Sequence, residues 1–161
     1  MRNRKNNKIK PMKQEELHHI RDIRLQAYPT ILGTEDPETD TLQDLQQQWQ
    51  QADQTVSHLL SLHADTPEEE GELCLTLLVV LQTGIRNHEP LDTVIRRAYD
   101  VLPRLTDQHL QCHLMVHLFV ETEDETLPPD IEAILTQWTA ATLTPEDRFL
   151  QQYWHTVKAF Q

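Results

Sequence analysis

The sequence predicts an all-α protein: a compact bundle of about seven mostly antiparallel helices joined by short loops. Three observations carry this. Only three glycines, Gly33, Gly71 and Gly84, occur in 161 residues, and Leu, Gln, Glu and Thr dominate the rest. Few turn formers and many straight-chain residues favour helix. Apolar residues recur at spacings of three and four along most of the chain, and no stretch alternates in polarity as a half-buried strand does. A Thr-Pro-acid start, which joins an N-cap to a proline at the first helical position, occurs at Thr66 and again at Thr144. The length suits one domain with its own core.

Residues 1–13 are polar, charged and aperiodic, which predicts a disordered basic tail ahead of a single helical domain over 14–161. A first helix is expected from about Lys13 to Ala27. Pro29 should end it, because a proline biases the residue before it, here Tyr28, away from helix. Gly33 to Asp40 reads as a polar linker. The next helix, Thr41 to Leu62, carries Leu42, Leu45, Trp49, Ala52, Val56 and Leu59 in an a/d stripe. Without strong flanking charge pairs, the stripe fits a packing helix within the domain better than a coiled coil. It leaves a homodimer open.

The third helix, Pro67 to about Arg86, is the most informative. Thr66 can cap it, and Glu69 sits three residues on, as a capping box requires. Glu68, Glu69 and Glu70 place negative charge at the positive end of the helix dipole. From Leu73 to Leu81 only Thr76 is clearly polar, so this helix should be central and buried. Asn87-His88-Glu89-Pro90 leads into a helix carrying Leu91, Val94, Ile95, Ala98, Val101 and Leu102. After a break at Pro103 to Thr106 comes a helix from Asp107 to Glu121. The acidic turn Glu121 to Asp130 opens a helix with Ile131, Ile134, Leu135 and Trp138. The last helix starts at Thr144 and carries Phe149, Tyr153, Trp154, Val157 and Phe160. Helices between 67 and 138 pair as two hairpins, giving the C-terminal two-thirds a helical-hairpin character. The Trp, Leu-Gly and Tyr pattern of tetratricopeptide repeats is absent, so a bundle is preferred to a solenoid.

Charge is unevenly placed. Residues 1–24 hold eight of the 14 Lys and Arg against three acids, a net of +5; the remainder holds six against 23, a net of −17. A body this acidic repels nucleic acid and is steered toward basic protein surfaces, or simply stays soluble. The basic tail allows a weak nucleic-acid contact, but a solvated terminus is the plainer reading, and no direct DNA binding is expected. No run approaches the ~20 apolar residues of a membrane helix. The basic start is not followed by the apolar segment of a secretory signal. A cytoplasmic location is expected, and Cys74 and Cys112 read as reduced thiols in or near the core.

The same residues exclude most chemistry. Three scattered glycines cannot form a phosphate loop or a dinucleotide fingerprint. The serines, Ser57 and Ser61, lie outside any Gly-x-Ser-x-Gly elbow. No Cys-x-x-Cys pair exists for zinc. No catalytic set, cofactor or metal is expected. His109, His113 and His117 repeat every four residues and so form one helical stripe, with Cys112 beside it. The stripe reads as the polar face of an otherwise apolar helix, with zinc or copper binding as the alternative. Cys112 lacks the third group that a thiolate nucleophile needs. Glu15-x-x-His18 and Glu16-x-x-His19 look like half of a di-iron motif, but no matching Glu-x-x-His follows.

One resemblance adds to this. Thr66-Pro67-Glu68-Glu69, then Leu73-Cys74-Leu75 with Leu77 and Leu78, then Asn87-His88 resemble the signature region of the UpxZ family. Val101-Leu102-Pro103, Ala133-Ile134-Leu135 to Trp138, and Leu143-Thr144-Pro145-Glu146 continue the likeness in order. It spans about Leu59 to Arg148, with a looser fit from Leu25. Ala64 and Asp65 stand where a glycine-containing turn is usual, and Glu89-Pro90 replaces a glycine-acid turn. The resemblance implies regulation of transcription by protein–protein interaction. UpxZ-like proteins act against NusG-like antitermination factors, the UpxY type, of other capsular polysaccharide loci. Charge then points to the contacts expected with such a factor, Glu68, Glu69 and Glu70 and Glu121, Glu123, Asp124 and Glu125, and the signature's Asn-His tract adds Asn87 and His88. A general helical adaptor for another partner is the other reading that the residues allow.

Overall fold

The computed structural model describes residues 14–32, 42–83 and 88–160. The basic tail, the linker from Gly33 to Asp40 and the end of the third predicted helix lie outside the described residues. So does Asn87.

The third helix of the chain, α3 (Pro67–Thr83), sits at the centre, and its sequence explains why. Leu73 to Leu81 are all buried, Thr76 included. A helix that is apolar all round has to be covered all round. The cover comes from α1 (Gln14–Leu32), α2 (Leu42–Leu60), α4 (His88–Val101) and α5 (Gln108–Thr122). Each fully buried leucine contributes about 1.5–3 kcal/mol relative to exposure. Gly71 lets the chain close in here: a Cβ at that position would stand 3.0 Å from Leu105 Cδ2 and from Leu110 Cδ2. At the start of α3, Thr66 Oγ1 accepts from the Glu69 amide at 3.1 Å, as expected. The Glu69 carboxylate returns not to Thr66 but one residue further back, accepting from the Asp65 amide at 2.8 Å.

A second buried helix, α5, follows a 3₁₀ turn at Leu102–Arg104. Asp107 caps it by accepting from the amides of His109 and Leu110. A short helix, α6 (Leu127–Leu135), and a longer one, α7 (Pro145–Ala159), close the bundle. The predicted Thr-Pro-acid start at Thr144 forms a complete capping box: Thr144 Oγ1 accepts from the Asp147 amide and Asp147 accepts from the Thr144 amide. Helices α3, α5 and α7 run the same way. Glu68 meets Thr106 and Asp107, while Gln82 meets His117. Asp147 meets His109 and His113, while Trp154 meets Phe119. The intervening helices return in the opposite direction, which is the expected hairpin arrangement. Among the described residues there are seven α-helices and no strand.

Two boundaries differ from expectation. The first helix does not stop before Pro29 but runs through it to Leu32. Tertiary anchoring outweighs the local bias: Tyr28 is buried and hydrogen-bonded to Glu146, and Ile31 packs on the core. The sixth helix ends at Leu135, so Trp138 lies in the following turn, where its ring stacks on His109 at 4.5 Å. In α2, Val56 and Leu59 are buried as the stripe predicts. The side chains of Leu42, Leu45 and Trp49 lie outside the description.

Helix α5 ends on Glu123, a non-glycine residue in the left-handed region, with φ 54° and ψ 33°. That conformation crowds a Cβ, and glycine usually occupies it. Glu123→Gly is expected to raise unfolding stability by about 0.5–1 kcal/mol in urea titration. An unchanged or lower stability would show that the Glu123 side chain contributes more than its strain.

Candidate functional site

Arg24 is the first residue to account for. It stands in the apolar stripe of α1, between Leu17, Ile20, Tyr28 and Ile31, and is 3% exposed. A buried guanidinium needs acceptors on all sides. Nη1 donates to Glu72 at 2.8 Å and to Thr76 at 3.1 Å on α3. Nε and Nη2 make a two-pronged contact with Glu146 on α7, at 2.5 and 3.0 Å. Arg21 reinforces Glu72 at 2.9 Å, and the Tyr28 hydroxyl donates to Glu146. Burial disfavours the charge on Arg24, yet the Glu146 hydrogen bonds and nearby carboxylates hold its pKa above the usual range. Burial raises the Glu146 carboxyl, and Arg24 more than reverses it.

The histidine stripe continues this cluster. His109 Nδ1 and His113 Nε2 each lie 2.9 Å from one oxygen of Asp147. A carboxylate only accepts, so both ring nitrogens donate. Burial would raise Asp147, but the His113 hydrogen bond, the Thr144 amide and the two imidazoles hold it well below the usual carboxylate range. His117 is 0% exposed, and its Nδ1 lies 2.9 Å from Gln82 Oε1. The Gln82 amide nitrogen donates to the His117 carbonyl at 3.3 Å, which fixes the amide's orientation. His117 Nδ1 therefore carries the proton. Its Nε2, like Nδ1 of His113, is buried without a hydrogen-bond partner. Tyr153 and Tyr28 stack on His117 at 5.4 and 6.5 Å, with Phe149 between the tyrosines.

These contacts correct the polar-face reading. His113 and His117 face inward, against α7 and α3, while His109 lies at the edge. The three rings do not converge on a point. Among the described residues, no group of three or more His, Cys, Asp or Glu has the arrangement that a metal ion needs. A cleft of about 520 Å³ opens beside the cluster, lined by Arg21, Leu25, His109 and Thr142 among others. The charged groups along it are paired with one another or with backbone amides. Burial pushes the thiols of Cys74 and Cys112 up to about 12, and both are free and buried, as the sequence predicts.

The acidic residues singled out in the sequence divide into two groups. Those at the start of α3 are half-buried rather than exposed, and each has an internal partner. Glu68 accepts from the Thr106 and Asp107 amides at 3.0 and 3.2 Å. Glu69 completes the α3 cap. Glu70 pairs with Arg97 through two bonds of 2.8 Å. The second group follows α5, about 20 Å away along that helix's axis. Here Asp124 binds Thr126 and Tyr99, whose hydrogen bonds hold its carboxyl below the usual range. Glu123 and Glu125 are exposed, with no side-chain partner among the described residues. Glu121 is half-buried. His88 begins α4, and its side chain lies outside the description. Sequence reasoning missed Arg24; the signal was a charged residue in register with an apolar stripe.

The profile of the UpxZ family of transcription anti-terminator antagonists matches residues 31–120. The chain belongs to the UpxZ family. The match starts earlier than the signature region and ends before Ala133 to Trp138. No curated protein matches in sequence. The fold is similar to the crystal structure of a transcription anti-terminator antagonist UpxZ from Bacteroides uniformis ATCC 8492. The TM-score is 0.72 at 19% identity, over 89% of this chain and 92% of that one. UpxZ membership makes this a transcription regulator of the anti-terminator-antagonist kind, a regulatory rather than a catalytic role. Among the described residues no helix is long and apolar enough to cross a membrane.

The His117 environment sets a pH dependence. Burial, aided by His113 and Arg24, pushes its pKa from 6.5 down to about 3. Below pH 6.5 the unfolded chain takes up a proton that the folded one refuses. Stability should fall as pH drops, by up to about 1.4 kcal/mol per unit. Asp147 and Glu146 have lowered pKa values, so their stabilisation is lost only below about pH 4. Urea titrations between pH 7.5 and 5 should show a steeper loss in the wild type than in His117→Gln. Equal slopes would contradict the buried neutral imidazole.

Proposed function

We propose that this protein binds a NusG-like antitermination factor of the UpxY type, from a capsular polysaccharide locus other than its own, and blocks its action. Family membership supports antagonism of an anti-terminator. The observation that carries the choice of surface is the acidic corner between α5 and α6. The acids at the start of α3 are committed inside the fold, whereas Glu123 and Glu125 are exposed with no side-chain partner among the described residues. With a net charge of −17 beyond residue 24, the body would attract a basic face on the factor and repel nucleic acid. Charge pairing of this kind chiefly sets on-rate and partner choice, and a basic face held here is unavailable to RNA polymerase or leader RNA. The proposed location is cytoplasmic.

The test is binding of purified protein to UpxY-type factors at low and high salt. Micromolar or tighter binding that weakens with salt is expected. The Glu123→Lys/Glu125→Lys variant should slow association about 10-fold. Glu68→Gln should lower stability and leave binding unchanged. Absence of binding to any such factor at low salt would overturn the proposal.

A further inference from the structure

We infer that the groove between α5 and α6 receives a short amphipathic helix of the partner, whose apolar face enters the groove and whose Lys or Arg reaches Asp130. This rests on the proposed function, and it adds what the acidic corner alone lacks: a place for apolar contact.

The groove is about 460 Å³, with a floor of Leu102, Pro103, Met115, Ala133 and Ile134. Asp130 is the charged residue in its lining, and among the described residues its carboxylate has no hydrogen bond or ion pair. The α6 wall presents residues 130, 133 and 134, which share one helix face, and Gln137 continues it in the turn that follows. The walls run eight residues each, 108–115 and 130–137, about 10 Å, or two helical turns. Along both walls the backbone amides are already bonded, within α5 and α6 and, at Thr136 and Gln137, back to Glu132 and Ile134. An extended segment laid here would find no amide or carbonyl to pair with. A helix satisfies its own backbone and can set a ridge of side chains into the groove. Met115 adds a polarisable, adaptable surface that tolerates different apolar residues.

Charge sets the occupant's character. Following α6 back from Asp130 leads to the turn with Glu123 and Glu125, two further exposed acids beyond the Asp130 end of the groove. An apolar helix end carrying Lys or Arg complements that arrangement, and an acidic one is repelled.

The experiment compares wild type, Ala133→Arg and Asp130→Lys for affinity to a purified UpxY-type factor, with thermal melting of each. Ala133 and Asp130 are both exposed, so neither change disturbs the core. Ala133→Arg fills the groove and should weaken binding at least ~10-fold, and Asp130→Lys about 5-fold, with melting temperatures nearly unchanged. Wild-type affinity in both variants overturns the groove as docking site and leaves the proposed function standing. A wild type that binds no factor overturns the function and this occupant together. Self-association of the wild type in sedimentation, lost in Ala133→Arg, makes a second copy the occupant and also overturns the inference. If Ala133→Arg does not fold, Asp130→Lys decides the point.

Discussion

The guanidinium of Arg24 is the interaction on which the remaining structure depends. It is almost fully buried, and its donors reach α3 through Glu72 and Thr76 and α7 through Glu146. Removing one partner from a buried charged cluster costs about 3–5 kcal/mol in general, because the remaining charge is left unsatisfied. That penalty fixes where α1 lies. Thr76 Oγ1 also donates to the Ile20 carbonyl at 3.4 Å, so even the lone polar residue in the α3 core belongs to the same junction. Tyr28 follows, held by Glu146 and stacked 4.0 Å from Phe149, and it carries α1 through Pro29.

The cluster also explains the histidines. Glu146 and Asp147 are neighbours in the first turn of α7; one meets Arg24 and the other meets His109 and His113. A single helix start thereby ties α1 and α5 together, with the Thr144 cap holding Asp147 in place. The polar residues along α5 thus connect helices. A nucleophile–base pair requires an activated thiol or hydroxyl beside a base. The buried thiols, with raised pKa values, do not fit that description.

Local rules were sufficient where the determining residues are close in sequence. The α3 core, the Thr66 and Thr144 starts, the Asp107 region and the hairpin order are all readable from spacings of one to four residues. The misreadings came from partners far along the chain. Glu68 is answered by amides 38 and 39 residues away, and Glu70 by an arginine 27 residues away. A run of three glutamates on a helix start therefore looked outward-facing when it is internally used. The histidine stripe misled for a related reason. With apolar residues on every other face, α5 had to be buried all round, and its polar stripe needed internal partners. Of the acidic turn after α5, Glu123 and Glu125 stand exposed, while Glu121 and Asp124 are half-buried.

Satisfying buried charge first thus divides the acids into those that hold the fold and those left for a partner. Hydrogen exchange of the protein with and without a bound UpxY-type factor tests that division most directly. The account predicts slowed exchange from about residue 111 to 137, around the α5–α6 corner, and none at residues 66–70. Protection centred on the α3 start, with the corner unchanged, would contradict it.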